Sequence, residues 1–222
     1  MRRVFCLTFL SVACLLAGQP YAPADWWEWR DLVGPRINAD GSAVVYVERW
    51  NHREDDRFCG NLWTVATAGG APRRITDGAW MDSSPAWSPD GARIAFLSDR
   101  GGTTQIWTRS VASGADVQLT RLATPPLSVA WSPDGKSLVY TARMPAAAAA
   151  AWVPAALLAF LRPPAPRVQL FVVPAAGGVS RMLPLGELEV VGEPAWMPDG
   201  QSILVAAAPP PDASNILQGG EI

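Results

Sequence analysis

One turn, written four times, constrains this chain more than any other feature. The copies are Asn38-Ala39-Asp40-Gly41, Ser88-Pro89-Asp90-Gly91, Ser132-Pro133-Asp134-Gly135 and Met197-Pro198-Asp199-Gly200. Proline at the second position presets φ near −65°, aspartate suits the third, and glycine accepts the positive φ that follows. Such a turn closes a bulged hairpin, so each copy predicts two antiparallel strands. Trp87, Trp131 and Trp196 precede three of the turns, and Ile37 stands in that place in the first. Pro35, Pro85 and Pro194 lie two residues earlier again.

The strands after the turns match as well. Three residues past the glycine stand Val44, Ile94, Leu138 and Ile203, and five past it Tyr46, Phe96, Tyr140 and Val205. The residues between them, Val45, Ala95, Val139 and Leu204, are also apolar. A strand apolar on both faces is covered on both faces. A second block repeats without a gap: Asn61 to Thr76, Gln105 to Thr120 and Gln169 to Pro184. Each copy opens on a strand, turns at Gly70, Gly114 or Gly178, and ends on a short strand holding Ile75, Leu119 or Leu183.

One unit is therefore four antiparallel strands in roughly 45 residues, the plan of a propeller blade. The fold class is all-β, an incomplete propeller with three full blades and part of a fourth. Blades are expected at about 33–78, 79–122, 123–187 and 188–222. Glu221-Ile222 occupies the place of Gln105-Ile106, in mid-strand, so the sequence reads as the opening fragment of a longer one.

Ahead of the blades, Arg2 and Arg3 precede an apolar run from Val4 to Leu16, too short to span a bilayer. This pattern predicts an export signal over residues 1–22, cleaved between Ala17 and Ala22, and a periplasmic or secreted protein. Cys14 lacks the leucine of a lipidation signal, since Ser11 stands there. Asp25-Trp26-Trp27-Glu28 has the spacing of a capping box and predicts a short helix over residues 23–32. Cys59 alone would remain in the mature chain, which excludes an internal disulfide.

Length varies mainly between the second and third strands of each unit: Ser98 to Thr104 is short, Arg49 to Gly60 longer, Ala142 to Arg167 longest. In a meander these loops emerge on the face that carries the blade-to-blade connections, opposite the Pro-Asp-Gly turns. Variable loops on a fixed scaffold are where binding concentrates. The candidate substrate or interdomain residues are therefore Arg49, Trp50, Arg53, Glu54, Arg100 and Trp152. Asp40, Gly41, Pro89, Asp90, Gly91, Pro133, Asp134, Gly135, Pro198, Asp199 and Gly200 are assigned to the turns themselves.

Catalytic machinery is not expected. A nucleophile elbow, Gly-x-Ser-x-Gly, does not occur, and His52 is the sole histidine. The turn aspartates lack the alternation of oxygen ligands that a calcium loop needs, so no metal or cofactor is predicted. A net charge of −2 without a basic stripe argues against nucleic acid. Met144 to Leu161 is uncharged, but Pro145 and Pro154 interrupt it and its flanking strands share one blade, so no membrane span is expected.

The run from Trp87 to Trp107 resembles the WD-like repeats of the TolB propeller and of the N-terminal propellers of prolyl-oligopeptidase-family serine peptidases. The stretch holding Trp29-Arg30, Pro35-Arg36-Ile37, Tyr46-Val47-Glu48 and Asn61-Leu62-Trp63 is similar to the start of bacterial acylaminoacyl- and dipeptidyl-peptidase-like members. That resemblance implies further blades, then an α/β-hydrolase domain with a Ser–Asp–His triad, acting on peptides. The present residues would restrict access and help position substrate. A stand-alone periplasmic protein-binding propeller of the TolB type is the alternative.

Overall fold

The computed structural model describes residues 26–144, 167–186 and 188–209. Readings of the export signal, of Asp25, of the loop holding Trp152 and of Glu221-Ile222 fall outside these residues.

Three four-stranded antiparallel sheets follow one another. The first is β1 (Arg30–Ile37), β2 (Ala43–His52), β3 (Arg57–Ala66) and β4 (Arg73–Arg74); the second is β5 (Asp82–Trp87), β6 (Arg93–Ser98), β7 (Gln105–Ser110) and β8 (Asp116–Gln118). The third is β9 (Pro126–Trp131), β10 (Ser137–Met144), β11 (Arg167–Pro174) and β12 (Arg181–Leu183). In each, hydrogen-bonded order equals chain order, which is the blade meander. A fourth unit holds one interrupted hairpin: β13 (Glu189–Val190) pairs β16 (Ala207–Ala208), and β14 (Ala195–Trp196) pairs β15 (Ile203–Leu204). The sheets do not close into a ring, as expected of an incomplete propeller.

All four turns form as the chemistry requires. Gly41, Gly91, Gly135 and Gly200 take φ of 74°, 67°, 66° and 66°. Each glycine N–H donates back to the carbonyl three residues earlier, at 2.9–3.1 Å. Each aspartate accepts the backbone N–H two residues on: Ser42 to Asp40, Ala92 to Asp90, Lys136 to Asp134 and Gln201 to Asp199, at 2.8–3.0 Å.

The upstream prolines explain a detail of the inner strands. Register shifts between Val33 and Arg36 and between Ser83 and Ala86, where Pro35 and Pro85 lie. Proline offers no N–H to the ladder, so a bulge is a natural place for it. Gly34 and Ser84 beside them take positive φ, 60° and 49°.

Apolar packing lies between the blades, because the second strand of each blade faces two ways. Val45, Val47 and Leu62 of the first meet Ile94 and Phe96 of the second. Ala95 and Leu97 face onward to Leu138, Tyr140 and Val173 of the third. Val139 and Leu170 face Val190, Trp196, Ile203 and Val205 of the fourth.

The helix expected to reach Leu32 does not form. Residues 26–27 make a single 3₁₀ turn, and β1 is already paired at Arg30, opposite Trp50. A capping box contributes only about 1 kcal/mol. A strand ladder along the ten-residue β2, rich in β-favouring Val with Tyr46 and Trp50, outweighs it.

Candidate functional site

In the first two blades the loops between second and third strands meet the blade connection on one face. Arg57, at the start of β3, reaches Asp55 in its own hairpin tip at 3.3 Å, Asp99 of the second blade's loop at 3.4 Å, and the carbonyl of Ala79 in the connection. Asp99 in turn accepts the Met81 N–H at 2.8 Å. The variable loops of the first two blades are thus tied to the chain that links them.

On this face Arg49 and Trp50 come together at a recess of about 170 Å³, shared with Trp26, Trp29, Asp31 and Phe58. The aromatic walls are half open: Trp26, Trp29 and Phe58 each expose 48% of their surface. Trp26 meets Phe58 edge-on at 6.5 Å, and the Arg49 guanidinium lies 4.9 Å from the Phe58 ring centre. Arg49 pairs with Asp31 across the β1–β2 ladder, while its Nε is buried without a partner. Asn51 donates to the Trp26 carbonyl at 3.2 Å and fixes the entry of β1. The recess can take an apolar side chain, and the Arg49–Asp31 ion pair lies at its edge. Sequence reasoning missed all three walls: Trp26 and Trp29 fall within the expected helix, and Phe58 comes alongside only through the β2–β3 pairing that sets it opposite Asn51.

The other candidates part company. Arg53 and Glu54 sit exposed at the hairpin tip, where His52 Nδ1 faces Asp55 at 3.1 Å. Trp152 lies outside the described residues. Arg100 is occupied: Nη2 donates to both oxygens of the fully buried Asp82 at 3.0 and 2.8 Å, and Nη1 to Asp116 at 2.7 Å. Arg109 completes the chain through the other Asp116 oxygen, also at 2.7 Å. Rings of Trp80, Phe96 and Trp107 lie 4.9–5.1 Å from the Arg100 guanidinium carbon. Arg100 therefore braces the second blade rather than offering itself to a ligand. Cys59 is fully buried, and burial raises its thiol pKa, so it behaves as a small apolar residue.

A second cavity, about 520 Å³, opens where the four inner strands converge beside the Pro-Asp-Gly turns. Trp87, Trp131 and Trp196 line it, and Arg36 of the first blade meets Glu193 of the fourth there at 2.5 Å. The turn aspartates act as structural groups and are not among its lining residues. Asp90 and Asp134 have pKa values lowered from 3.8 first by the Ser88 and Ser132 hydroxyls and then by backbone N–H groups. Asp40 is lowered by Ser42, and Asp199 by the Gln201 and Ser202 N–H groups.

Blade meander, Trp-x-Pro-Asp-Gly turns and interblade cores define a propeller of the TolB type. The family model for the TolB β-propeller domain matches residues 31–151, more than half of the chain, and the chain belongs to that family. Over 71 residues it is 35% identical to an uncharacterized peptidase, YuxL, of Bacillus subtilis, a match covering 32% of this chain and 11% of that protein. Dipeptidyl-peptidase 5 of Porphyromonas gingivalis is 34% identical over 70 residues, covering 32% of this chain and 10% of that one. The chain thus matches about a tenth of the length of these relatives. Among solved structures, a putative TolB of Agrobacterium tumefaciens superposes with a TM-score of 0.57 at 24% identity, over 82% of this chain and 59% of that one. The uncomplexed acylaminoacyl peptidase of Pyrococcus horikoshii gives 0.57 at 19%, over 81% and 28%.

Proposed function

We propose that this chain is the opening part of the propeller of an exported serine peptidase. It restricts access to an α/β-hydrolase domain encoded beyond it and helps position the peptide through the Arg49–Trp50 recess. The observation that carries this reading is the identity of 34–35% to two peptidases over some 70 residues, above the 24% or less found with the structural neighbours cited. Propellers as a fold serve many functions, so the fold alone would not single out this one.

The coding sequence downstream of Ile222 tests the proposal. Further blades followed by Gly-x-Ser-x-Gly and a later histidine are expected. A stop after six or seven blades would instead favour a stand-alone binding propeller, the reading to which the family match and the TolB-like neighbour lend weight. In the full-length peptidase, Trp50→Ala is expected to raise KM for peptides several-fold, the pattern of lost substrate binding rather than lost chemistry.

A further inference from the structure

The cleft between the first and second blades differs chemically from its counterpart one blade further on. The repeat places Ala43 where the next blade has Arg93, and Arg73, Arg74 and Arg109 where it has Val117, Gln118 and Val173. Between blades two and three the space is filled. The Arg93 guanidinium lies 4.6 Å from the centre of the Trp131 ring and donates to the Gly135 carbonyl at 3.4 Å. Gly177 abuts Leu119, leaving room for no more than a methyl group, 3.5 Å from the Leu119 carbonyl. Val173 is fully buried.

Between blades one and two, alanine stands in the position of that covering arginine. A cavity of about 350 Å³ remains, floored by Ile75, Trp87 and Ile94 and rimmed by Arg73, Arg74 and Arg109, with no carboxylate among its lining residues. Arg109 commits Nη1 to Asp116, and Arg74 meets the exposed Asp77 at 3.1 Å. Arg73 is exposed and forms no ion pair among the described residues.

We propose that this cleft binds a carboxylate carried on an apolar body, namely the C-terminal residue of a peptide that ends in an aromatic or aliphatic side chain. Guanidinium groups match a carboxylate in two-pronged fashion and hold their charge at any working pH. Trp87, Ile94 and Ile75 receive the side chain. The volume suits a single residue, near the lower bound of small-ligand pockets. The cleft is flanked by the glycine turn at Gly114, on the face opposite the variable loops. It is thus a site separate from the Arg49–Trp50 recess and does not depend on the role proposed for that recess.

Calorimetric titration of the full-length protein, this chain extended by the blades expected downstream, tests this, with N-acetylphenylalanine, its neutral amide and inorganic phosphate as probes. The acid is expected to bind about tenfold or more tightly than the amide, and more tightly than phosphate. Arg73→Gln should weaken the acid by about three- to tenfold. Ala43→Arg, which copies the residue of the next blade, should abolish binding by covering Trp87, although it adds positive charge. Equal binding of acid and amide, equal binding of phosphate, or undiminished binding by Ala43→Arg would each overturn the proposal. Should Ala43→Arg fail to fold, Arg73→Gln with Arg74→Gln, both on the exposed β4, supplies the same decision: unchanged affinity for the acid refutes it.

Discussion

The indole N–H of Trp131 donates to the carbonyl of Ala86, one blade earlier, at 3.1 Å. Trp87 repeats the relationship with Arg36, also at 3.1 Å. In the second and third blades the tryptophan before the turn therefore joins its own inner strand to the preceding one, and these blades are linked by hydrogen bonds as well as by apolar packing. Trp196, at the third such position, has a buried Nε1 without a partner.

This contrast sets the first prediction. Trp131→Phe keeps an aromatic ring but leaves the Ala86 carbonyl without its donor, an expected loss of about 1–3 kcal/mol. Trp196→Phe removes no such bond and should cost distinctly less. Urea unfolding of the two variants checks this, and equal losses would show that ring volume, not the inter-blade bond, sets the cost.

Arg100 gives the second prediction. Its partner Asp82 is fully buried, so Arg100→Met leaves an uncompensated charge at an expected cost of about 3–5 kcal/mol. Arg100→Lys should not rescue it, because an ammonium cannot hold two carboxylates in the guanidinium's fork. Adding Asp82→Leu to Arg100→Met should recover part of the loss. A double-mutant cycle measures the coupling, and strict additivity would contradict the network.

The turn aspartates supply a pH dependence. Asp40, Asp90, Asp134 and Asp199 all have folded-state pKa values below the ordinary 3.8. The unfolded chain binds protons first as pH falls, so their contribution is complete above 3.8 and is lost as pH drops through the lowered folded values. Unfolding midpoints should be flat from pH 7 to 5 with respect to these groups and decline below about pH 4. Replacing all four by Asn, which can still cap the turn, should flatten that acid limb; an unchanged limb would assign it to other carboxylates.

How much of this was legible in sequence depends on whether the signal was local. Gly41, Gly91, Gly135 and Gly200 announced their turns because few other residues accept the required φ. Ile94 and Ala95 announced a two-faced strand because neither neighbouring position is polar. The course of β1 was not legible: Asp25 and Glu28 offered a local helix signal, and its rival was a ladder to Arg49 and Trp50, about twenty residues away. Nor was Arg100 legible as a brace. It lies in a variable loop, and its partners Asp82 and Asp116 come from the first and last strands of the blade. The recess at Trp50 was half visible: its strand residues were named in advance, but its aromatic walls depended on a chain path that only tertiary pairing decides.

The last prediction concerns the faces that no blade covers among the described residues. Ile94 and Phe96, and Leu138 and Tyr140, are 0–2% exposed because an adjoining blade lies over them. Their counterparts in the first blade, Val44 and Tyr46, are only half-buried, and Leu32 and Ile37 on β1 are 64% and 60% exposed. At the other end Ile203 and Val205 pack toward the third blade, whereas Leu204 faces outward at 64% exposure. Covering an aliphatic or aromatic side chain is worth about 1.5–3 kcal/mol, and a domain's net stability is only about 5–15 kcal/mol. Several uncovered side chains therefore favour association strongly, and paired strands at a sheet edge extend readily onto another chain. Residues 23–222 made alone should self-associate, and Tyr46→Lys with Leu204→Lys should shift the material toward monomer in sedimentation velocity without restoring stability. Extension by the blades expected downstream should give a soluble monomer. A monomeric 23–222 protein with a single sharp melting transition at an ordinary mesophilic temperature would show instead that these faces need no cover.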